Sequence, residues 1–444
     1  MAKICMIGTG YVGLVSGACL ADFGHTVHCV DIDAARIEKL GEGEIPIYEP
    51  GLKDVVKRNV ESGRLYFTTN LEEAVKASEV VFMAVGTPPL DDGGTDLSFV
   101  TAAAEGLAPS LSGYKVIVQK STVPVGSARK LAEIIRKHAP RGAEFDVVSN
   151  PEFLREGSAI EDFMRPNRVV IGAETDRARE MMREVYRPLY LLETPIVSTT
   201  IETAEMIKYV SNAFLAIKIS FINEIASVCE LVGANVDEVA KGIGLDGRIG
   251  TKFLHAGIGY GGSCLPKDVA SFLHAAADHG FEPLILSAAQ RVNSALVDRA
   301  MEKLGRALGG VKGKTVGLLG LAFKPNTDDL REAPSLRVAD WLAAAGAKIK
   351  AYDPIAVENF KRATKAEIEY CKNAYDCADA SDALMLLTEW NEFRELDFVR
   401  LGKLMKKKVF IDCRNVYKPE RVSSFGFTYD SFGRGSARAP AGKE

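Results

Sequence analysis

The sequence predicts an α/β protein with two doubly wound parallel-sheet domains joined by a long central helix. Three observations predict it. Short apolar runs alternate with helical periodicity up to about Thr200, as strands and crossover helices do in a parallel sheet. One continuous helical pattern then runs from Ile201 to Val232. A second strand-and-helix alternation starts at Lys314. At 444 residues the chain is too long for one ordinary core, so two or three domains are expected.

In chain order, the first-domain strand candidates are Lys3–Ile7, Thr26–Val30, Val80–Val85, Lys115–Gln119, Asp146–Ser149 and Arg168–Gly172. Helical periodicity fills gaps between them, as in Val12–Phe23 and Ala34–Leu40. Apolar residues cover much of the circumference of 201–232, so burial on both sides is expected, with a subunit interface as one cover. More helices follow to about Leu308. The second sheet is read from Lys314–Gly320, Ala347–Asp353, Ala383–Leu387 and Lys408–Asp412, with Pro334 opening a helix. The expected division is 1–199, 200–308, 309–430 and a disordered tail, 431–444, rich in Gly, Ser, Ala and Pro.

Composition excludes several classes. Apolar content of 47% with 26% charge describes a globular protein able to bury a core. A net charge of −4 gives no pull toward nucleic acid or an anionic membrane. The cysteines are scattered, without a Cys-x-x-Cys pair or a zinc-like His spacing, so no metal is expected. No signal-peptide pattern and no bilayer-length apolar run is visible. A reducing cytoplasm is the expected compartment, with Cys5, Cys19, Cys29 and Cys229 as core thiols.

Gly8-Thr9-Gly10-Tyr11-Val12-Gly13 lies between a strand and a helix, the setting of a Rossmann-like dinucleotide turn. Gly8 permits the tight turn, Gly10 admits a pyrophosphate, and Gly13 permits close helix–strand packing. The anion would rest on the helix N-terminus. Asp31 ends the next strand, where a carboxylate bonds ribose hydroxyls and repels a 2′-phosphate; NAD is expected over NADP. Arg36 is near enough in sequence to reach an adenosine phosphate, which keeps NADP open.

Cys264 sits in Gly259-Tyr260-Gly261-Gly262-Ser263-Cys264-Leu265-Pro266-Lys267-Asp268. Pro266 suits a first helical turn, which puts Cys264 just outside a helix N-terminus, where a thiolate is favoured. The glycines are expected to clear space around the thiol. A nucleophilic thiol together with a hydride acceptor points to oxidation past the aldehyde, through a thioester. Lys208 and Asn212, spaced i and i+4, share a helix face in apolar surroundings and could donate to an oxyanion. Glu152 and Glu156 follow a strand end, where chemistry concentrates in such sheets; Glu152 is a candidate general base for a hydrolytic water. Lys324, after the first strand of the second domain, could neutralise a diphosphate or bond a sugar, and Arg414 is a candidate for the same end.

Gly8–Gly13, Thr87-Pro88-Pro89, Ser121-Thr122-Val123-Pro124-Val125, Asn150–Gly157, Gly259–Asp268 and Ala322-Phe323-Lys324 occur in that order. The ordered set resembles the UDP-glucose/GDP-mannose dehydrogenase family over about residues 1–420, and within it the UDP-glucose branch. The resemblance implies four-electron oxidation of a nucleotide sugar's C6 alcohol to a carboxylate, with two NAD reduced, one water consumed, and an N-terminal NAD domain, a dimerising central helix and a C-terminal UDP-sugar domain. It implies proton handling by Asp268 with Thr122, oxyanion stabilisation by Lys208 and Asn212, and a further option of Lys208 as base. On the cofactor side it implies Tyr11, Val12, Thr87, Thr122, Glu156 and Arg331. On the substrate side it implies Glu152, Phe153, Leu154, Lys208, Asn212, Phe253, Tyr260, Gly261, Phe323, Lys324 and Arg414, with Arg248 reaching a neighbouring subunit. Leu265 stands where relatives often carry Phe, and Asp412-Cys413 stands where glycine is common before the arginine. Three alternatives remain open: the same chemistry on GDP-mannose or a UDP-N-acetylhexosamine, a one-step hydroxyacid-type dehydrogenase with a structural Cys264, and a non-catalytic sugar-nucleotide sensor.

Overall fold

The computed structural model describes residues 1–435. The chain forms two compact units, 1–211 with 270–279, and 212–269 with 280 onward. The helical stretch 200–308 is divided between them.

The first unit holds an eight-stranded sheet of β1 (Lys3–Ile7), β2 (Thr26–Val30), β3 (Leu65–Thr68), β4 (Val80–Met83), β5 (Tyr114–Gln119), β6 (Glu144–Ser149), β7 (Val169–Gly172) and β8 (Ile196–Thr199). The order is β3-β2-β1-β4-β5-β6-β7-β8. The sheet is covered on both faces because adjacent strand residues face opposite ways. Ile4 and Met6 of β1 enter one core with Leu14 and Phe82, while Cys5 and Ile7 enter another with Val81 and Met83. One pairing corrects the all-parallel expectation. β6 and β7 meet antiparallel, Ser149 opposite Gly172, and β7 then pairs β8 in parallel. Antiparallel neighbours need no full crossover, so the connection between β6 and β7 is free to form an irregular loop and a short helix.

The helices that position the site are α1 (Tyr11–Asp22), α2 (Ala34–Gly41), α3 (Ser127–His138), α4 (Ala159–Met164), α5 (Ile201–Val232), α6 (Leu265–Asp278), α7 (Leu284–Leu308) and α8 (Pro334–Ala344). α5 has the limits its periodicity predicts. Its expected burial on both sides holds only in part, since Met206, Val210, Phe214, Phe221 and Val228 are exposed.

The second unit holds β9 (Thr315–Leu319), β10 (Lys348–Tyr352), β11 (Ile368–Tyr370), β12 (Ala383–Leu386), β13 (Val409–Asp412) and β14 (Thr428–Ser431), all parallel. Their order, β11-β10-β9-β12-β13-β14, repeats the doubly wound plan. The disorder expected from Ser431 is corrected at its start. Ser431 pairs with Asp412 in the sheet, the Phe432 side chain is buried, and Arg434 bonds Tyr417 and Tyr429. An aromatic core contact and a buried guanidinium outweigh the polar composition there. The remaining tail, 436–444, lies outside the described residues.

Candidate active site

In each sheet the strand order reverses between the first and fourth strands, and ligands of such sheets bind beyond the carboxyl ends there. In the first unit that point is flanked by the Gly8–Gly13 turn after β1, Thr87 after β4 and Thr122 after β5; both threonines are half-buried. A Cβ on Gly13 would stand 2.0 Å from the Gly8 carbonyl oxygen, so helix α1 approaches β1 too closely for any side chain. A Cβ on Gly10 would meet nothing within 4 Å, leaving its face open for a ligand. Tyr11 and Val12 open α1. The Asp31 carboxylate accepts from the Thr9 N–H (2.8 Å) and hydroxyl (2.7 Å) and pairs with Arg36 at 3.3 Å. Burial works against its charge, but the Thr9 and Asp33 N–H groups, the Thr9 hydroxyl and Arg36 hold its carboxyl below the usual range. Arg36, expected near an adenosine phosphate, lies against this carboxylate. Open glycine, helix N-terminus and a carboxylate just past the end of the second strand together fit a dinucleotide.

The loop after β6 brings a second group to the same end of the sheet. Glu152 is buried, and Lys208 Nζ donates to its Oε1 at 2.9 Å. The Leu154 N–H donates to Oε2 at 2.6 Å. Burial alone would raise the Glu152 pKa; Lys208, the Leu154 N–H and Lys120 hold it low instead. Phe153 roofs this pair. The Arg168 guanidinium lies 3.4 Å from its ring centroid and Lys208 Nζ 5.5 Å from it. Leu154 and Glu156 are half-buried in the same loop.

In the second unit, Cys264 immediately precedes α6, and its carbonyl accepts the Asp268 N–H at 2.9 Å, which makes it the N-cap. Its thiol is half-exposed, with the Ser263 hydroxyl 3.6 Å from Sγ. Burial pushes the core thiols Cys19 and Cys29 up to about 12. Asp268 is buried in the first turn and accepts from Asn212 Nδ2 at 2.6 Å. Lys267 Nζ stands 2.7 Å from its other oxygen, a charge contact without hydrogen-bond alignment. The flanking glycines do not clear space for the thiol as expected. A Cβ on Gly261 would stand 2.3 Å from the Glu332 carbonyl, and one on Gly262 (φ +85°) 2.7 Å from the Phe323 ring. Their smallness lets these neighbours pack against the loop.

Other expected residues divide by surroundings. Arg414 donates to three backbone carbonyls, of Leu387 (2.7 Å), Gly259 (2.9 Å) and Phe323 (3.1 Å), and so ties together the loops after β9 and β12 and the cysteine loop. Lys324 Nζ lies 5.2 Å from the Phe323 ring centroid. The backbone of Tyr260 is held by Asn293 at both N–H and carbonyl. Phe253 adopts the left-handed conformation, φ +65°. Arg248 and Arg331 are exposed and pair with Asp246 and Asp329 two residues away.

Residues 2–190 match the NAD binding domain of the UDP-glucose/GDP-mannose dehydrogenase family, residues 202–295 its central domain, and residues 317–419 its UDP binding domain. A relative from Rhizobium meliloti (strain 1021), a UDP-glucose 6-dehydrogenase, is 54% identical over 97% of this chain and 99% of its own. The chain belongs to the UDP-glucose/GDP-mannose dehydrogenase family. Two solved structures agree in fold. A UDP-glucose dehydrogenase from the archaeon Pyrobaculum islandicum superposes with a TM-score of 0.90 at 40% identity, covering 95% of this chain and 96% of that one. A UDP-D-ManNAc dehydrogenase from Pyrococcus horikoshii gives 0.86 at 28% identity, covering 98% and 100%. The glycine turn and Asp31 thus lie in the family's NAD binding domain, and Cys264 and Asp268 in its central domain.

Several residues of the site escape sequence reading. Lys120 is buried one residue past β5. Glu49 accepts from the Tyr11 hydroxyl and from the N–H groups of Gly157 (2.6 Å) and Ala159 (2.8 Å), and so pins the Glu152 loop to the start of α1. Lys267 and Asn293 belong with them. Only for Lys267, which lies within the cysteine motif, is there a sequence signal.

Proposed function

We propose that the chain oxidises the C6 alcohol of UDP-glucose to the carboxylate of UDP-glucuronate, reducing two NAD and consuming one water. One observation carries this reading above the rest: a half-exposed thiol at a helix N-cap, with a buried carboxylate one turn on. The start of a helix favours the thiolate through its dipole and unpaired N–H groups. NAD, when bound, accepts one hydride in each of the two oxidations. Gly8, Gly10, Tyr11, Val12, Gly13, Asp31, Arg36, Thr87, Thr122, Glu156 and Arg331 are its proposed holders.

The first oxidation leaves an aldehyde and releases a proton, with the Asp268–Thr122 pair as acceptor. The Cys264 thiolate then adds to the aldehyde carbon, giving a thiohemiacetal whose oxyanion Lys208 and Asn212 stabilise. Its C–H hydride leaves in the second oxidation, and the carbonyl re-forms as a thioester. Glu152 takes a proton from water as the water oxygen attacks that carbonyl. The C–S bond breaks, the carboxylic acid forms and ionises, and the thiolate of Cys264 is regenerated. Phe153, Leu154, Phe253, Tyr260, Gly261, Phe323, Lys324 and Arg414 are the proposed substrate-side residues. Arg414 works by holding the loops together, which its three carbonyl bonds support.

Functionally, 1–199 serves NAD, 200–308 serves dimerisation and 309–430 serves the UDP-sugar. A homodimer or a higher homo-oligomer, buried along α5, is proposed on the exposed Met206, Val210, Phe214, Phe221 and Val228, with Arg248 offered to the neighbouring subunit. The cytoplasm is the proposed compartment, supported by reduced buried thiols. The likeness to the UDP-D-ManNAc dehydrogenase supports a second reading, the same chemistry on a UDP-N-acetylhexosamine. The test is NADH yield on a panel of UDP-glucose, GDP-mannose and UDP-N-acetylhexosamines, for the native chain and Cys264→Ser. Two NADH per UDP-glucose, with acid formation lost by orders of magnitude in the serine variant, is expected. One NADH per substrate, or undiminished acid from the variant, refutes the scheme.

A further inference from the structure

Burying a lysine is costly unless its charge has partners, and Lys120 is buried within reach of few. Its Nζ lies 3.2 Å from Asn150 Oδ1 and 3.5 Å from the Asn150 carbonyl, with the Phe163 ring centroid 6.0 Å away. Asn150 immediately follows β6 and begins the turn that carries Glu152. Its Oδ1 also accepts the Tyr186 hydroxyl at 2.6 Å, and its Nδ2 donates to the Val170 carbonyl of β7 at 2.8 Å. The amide oxygen thus accepts two hydrogen bonds while Nδ2 donates one, and Lys120 is one of the groups that fix it.

We propose that Lys120 is a positioning residue for the hydrolytic step: it anchors the Asn150 turn that carries Glu152 and sets a second buried cation beside that turn. This rests on Glu152 serving as the base of that step. The groups facing Glu152 are Lys208 from α5, the Leu154 N–H from its own loop and Lys120 from the end of β5; Arg168, stacked on Phe153, is the next cation outward. Burial pushes Lys120 itself down to about 8, with Glu152 resisting and Lys208 adding to the fall, so at neutral pH it still carries its charge. A surface lysine would do neither job. Water would screen its charge, and its side chain would not hold the amide in place.

The experiment compares the native chain with K120Q and K120R in single turnovers of UDP-glucose and NAD from acid to neutral pH, following both NADH steps and UDP-glucuronate release. In the native chain, acid release falls as pH drops through the Glu152 pKa. K120Q keeps a donor for Asn150 but no charge, so its acid limb should move up by about one pH unit. Its first NADH should form within roughly threefold of the native rate, because only the last step uses the base. K120R keeps the charge and should keep the native limb. K120M is the second uncharged variant if K120Q does not fold, and the same upward move is expected. An uncharged variant with two NADH and an unmoved limb overturns the role of Lys120 while leaving the thioester scheme standing. A native chain that forms acid with no acyl-enzyme overturns both.

Discussion

Lys208→Met removes the ammonium from a pair whose side chains are 4% and 7% exposed, 2.9 Å apart. At an effective dielectric of 20, two unit charges at that separation attract by on the order of 6 kcal/mol. Desolvation of both ions offsets part of this. Stranding one partner of a buried pair typically costs about 3–5 kcal/mol, and that is the loss expected at pH 7 for the first unit. The variant escapes part of the loss by protonating Glu152, whose folded pKa then rises above its unfolded value. A group raised in this way favours the folded state below the unfolded pKa, and that contribution disappears as pH climbs through the folded pKa. The deficit of K208M should therefore shrink toward acid pH. Denaturant unfolding of native, K208M, E152Q and K208M/E152Q forms a cycle. The double variant, with no stranded charge, should recover at least about 2 kcal/mol relative to the sum of the single losses. Single losses that add within about 0.5 kcal/mol would show that the two groups do not act as a pair and would refute the reasoning.

Three further outcomes follow from other parts of the molecule. Gly13→Ala forces a methyl to within 2.0 Å of the Gly8 carbonyl, so the turn must open; NAD affinity by calorimetry should fall at least about tenfold. Asp31→Ser removes the carboxylate proposed to bond the ribose and frees Arg36. NAD binding should weaken and the NAD-to-NADP preference narrow by roughly tenfold, and an unchanged preference would remove Asp31 from the cofactor site. Lys120 has its folded pKa depressed from 10.5 to about 8, so between those values the unfolded chain binds more protons and stability rises with pH. The stability difference between the native chain and K120M should change across that window and be flat below it.

The strands that periodicity reveals are the central ones. β1, β2, β4, β5, β6, β7, β9, β10, β12 and β13 are all anticipated, and β1, β4, β12 and β13 read as nearly continuous apolar runs because both faces are covered. The four strands not read from the sequence, β3, β8, β11 and β14, are the four sheet edges. Their residues are largely half-buried or exposed, as in Ile196-Val197-Ser198-Thr199, so the apolar signal is diluted by solvent on one side. The antiparallel β6–β7 pairing leaves no local mark, since direction depends on how the chain returns. In the site, residues defined by a local rule were legible: glycines in a turn, a carboxylate at a strand end, a thiol before Pro266. Long-range partnerships were not. Lys208 meets Glu152 across 56 positions, and Lys120 at the end of β5 reads as an ordinary loop lysine until the fold buries it. The glycines beside Cys264 were found for a reason the packing corrects, because Phe323 and Glu332 supply it from elsewhere in the chain.

The account depends most on a covalent bond between the sugar's C6 and Cys264. Glu152→Gln, in which hydrolysis should slow, mixed with UDP-glucose and NAD and quenched in acid, should show by intact mass and peptide mapping a UDP-glucuronyl group on Cys264, at up to one per chain. Release of UDP-glucuronate by the native chain, with Cys264 never carrying that group in either protein under the same quench, would contradict it.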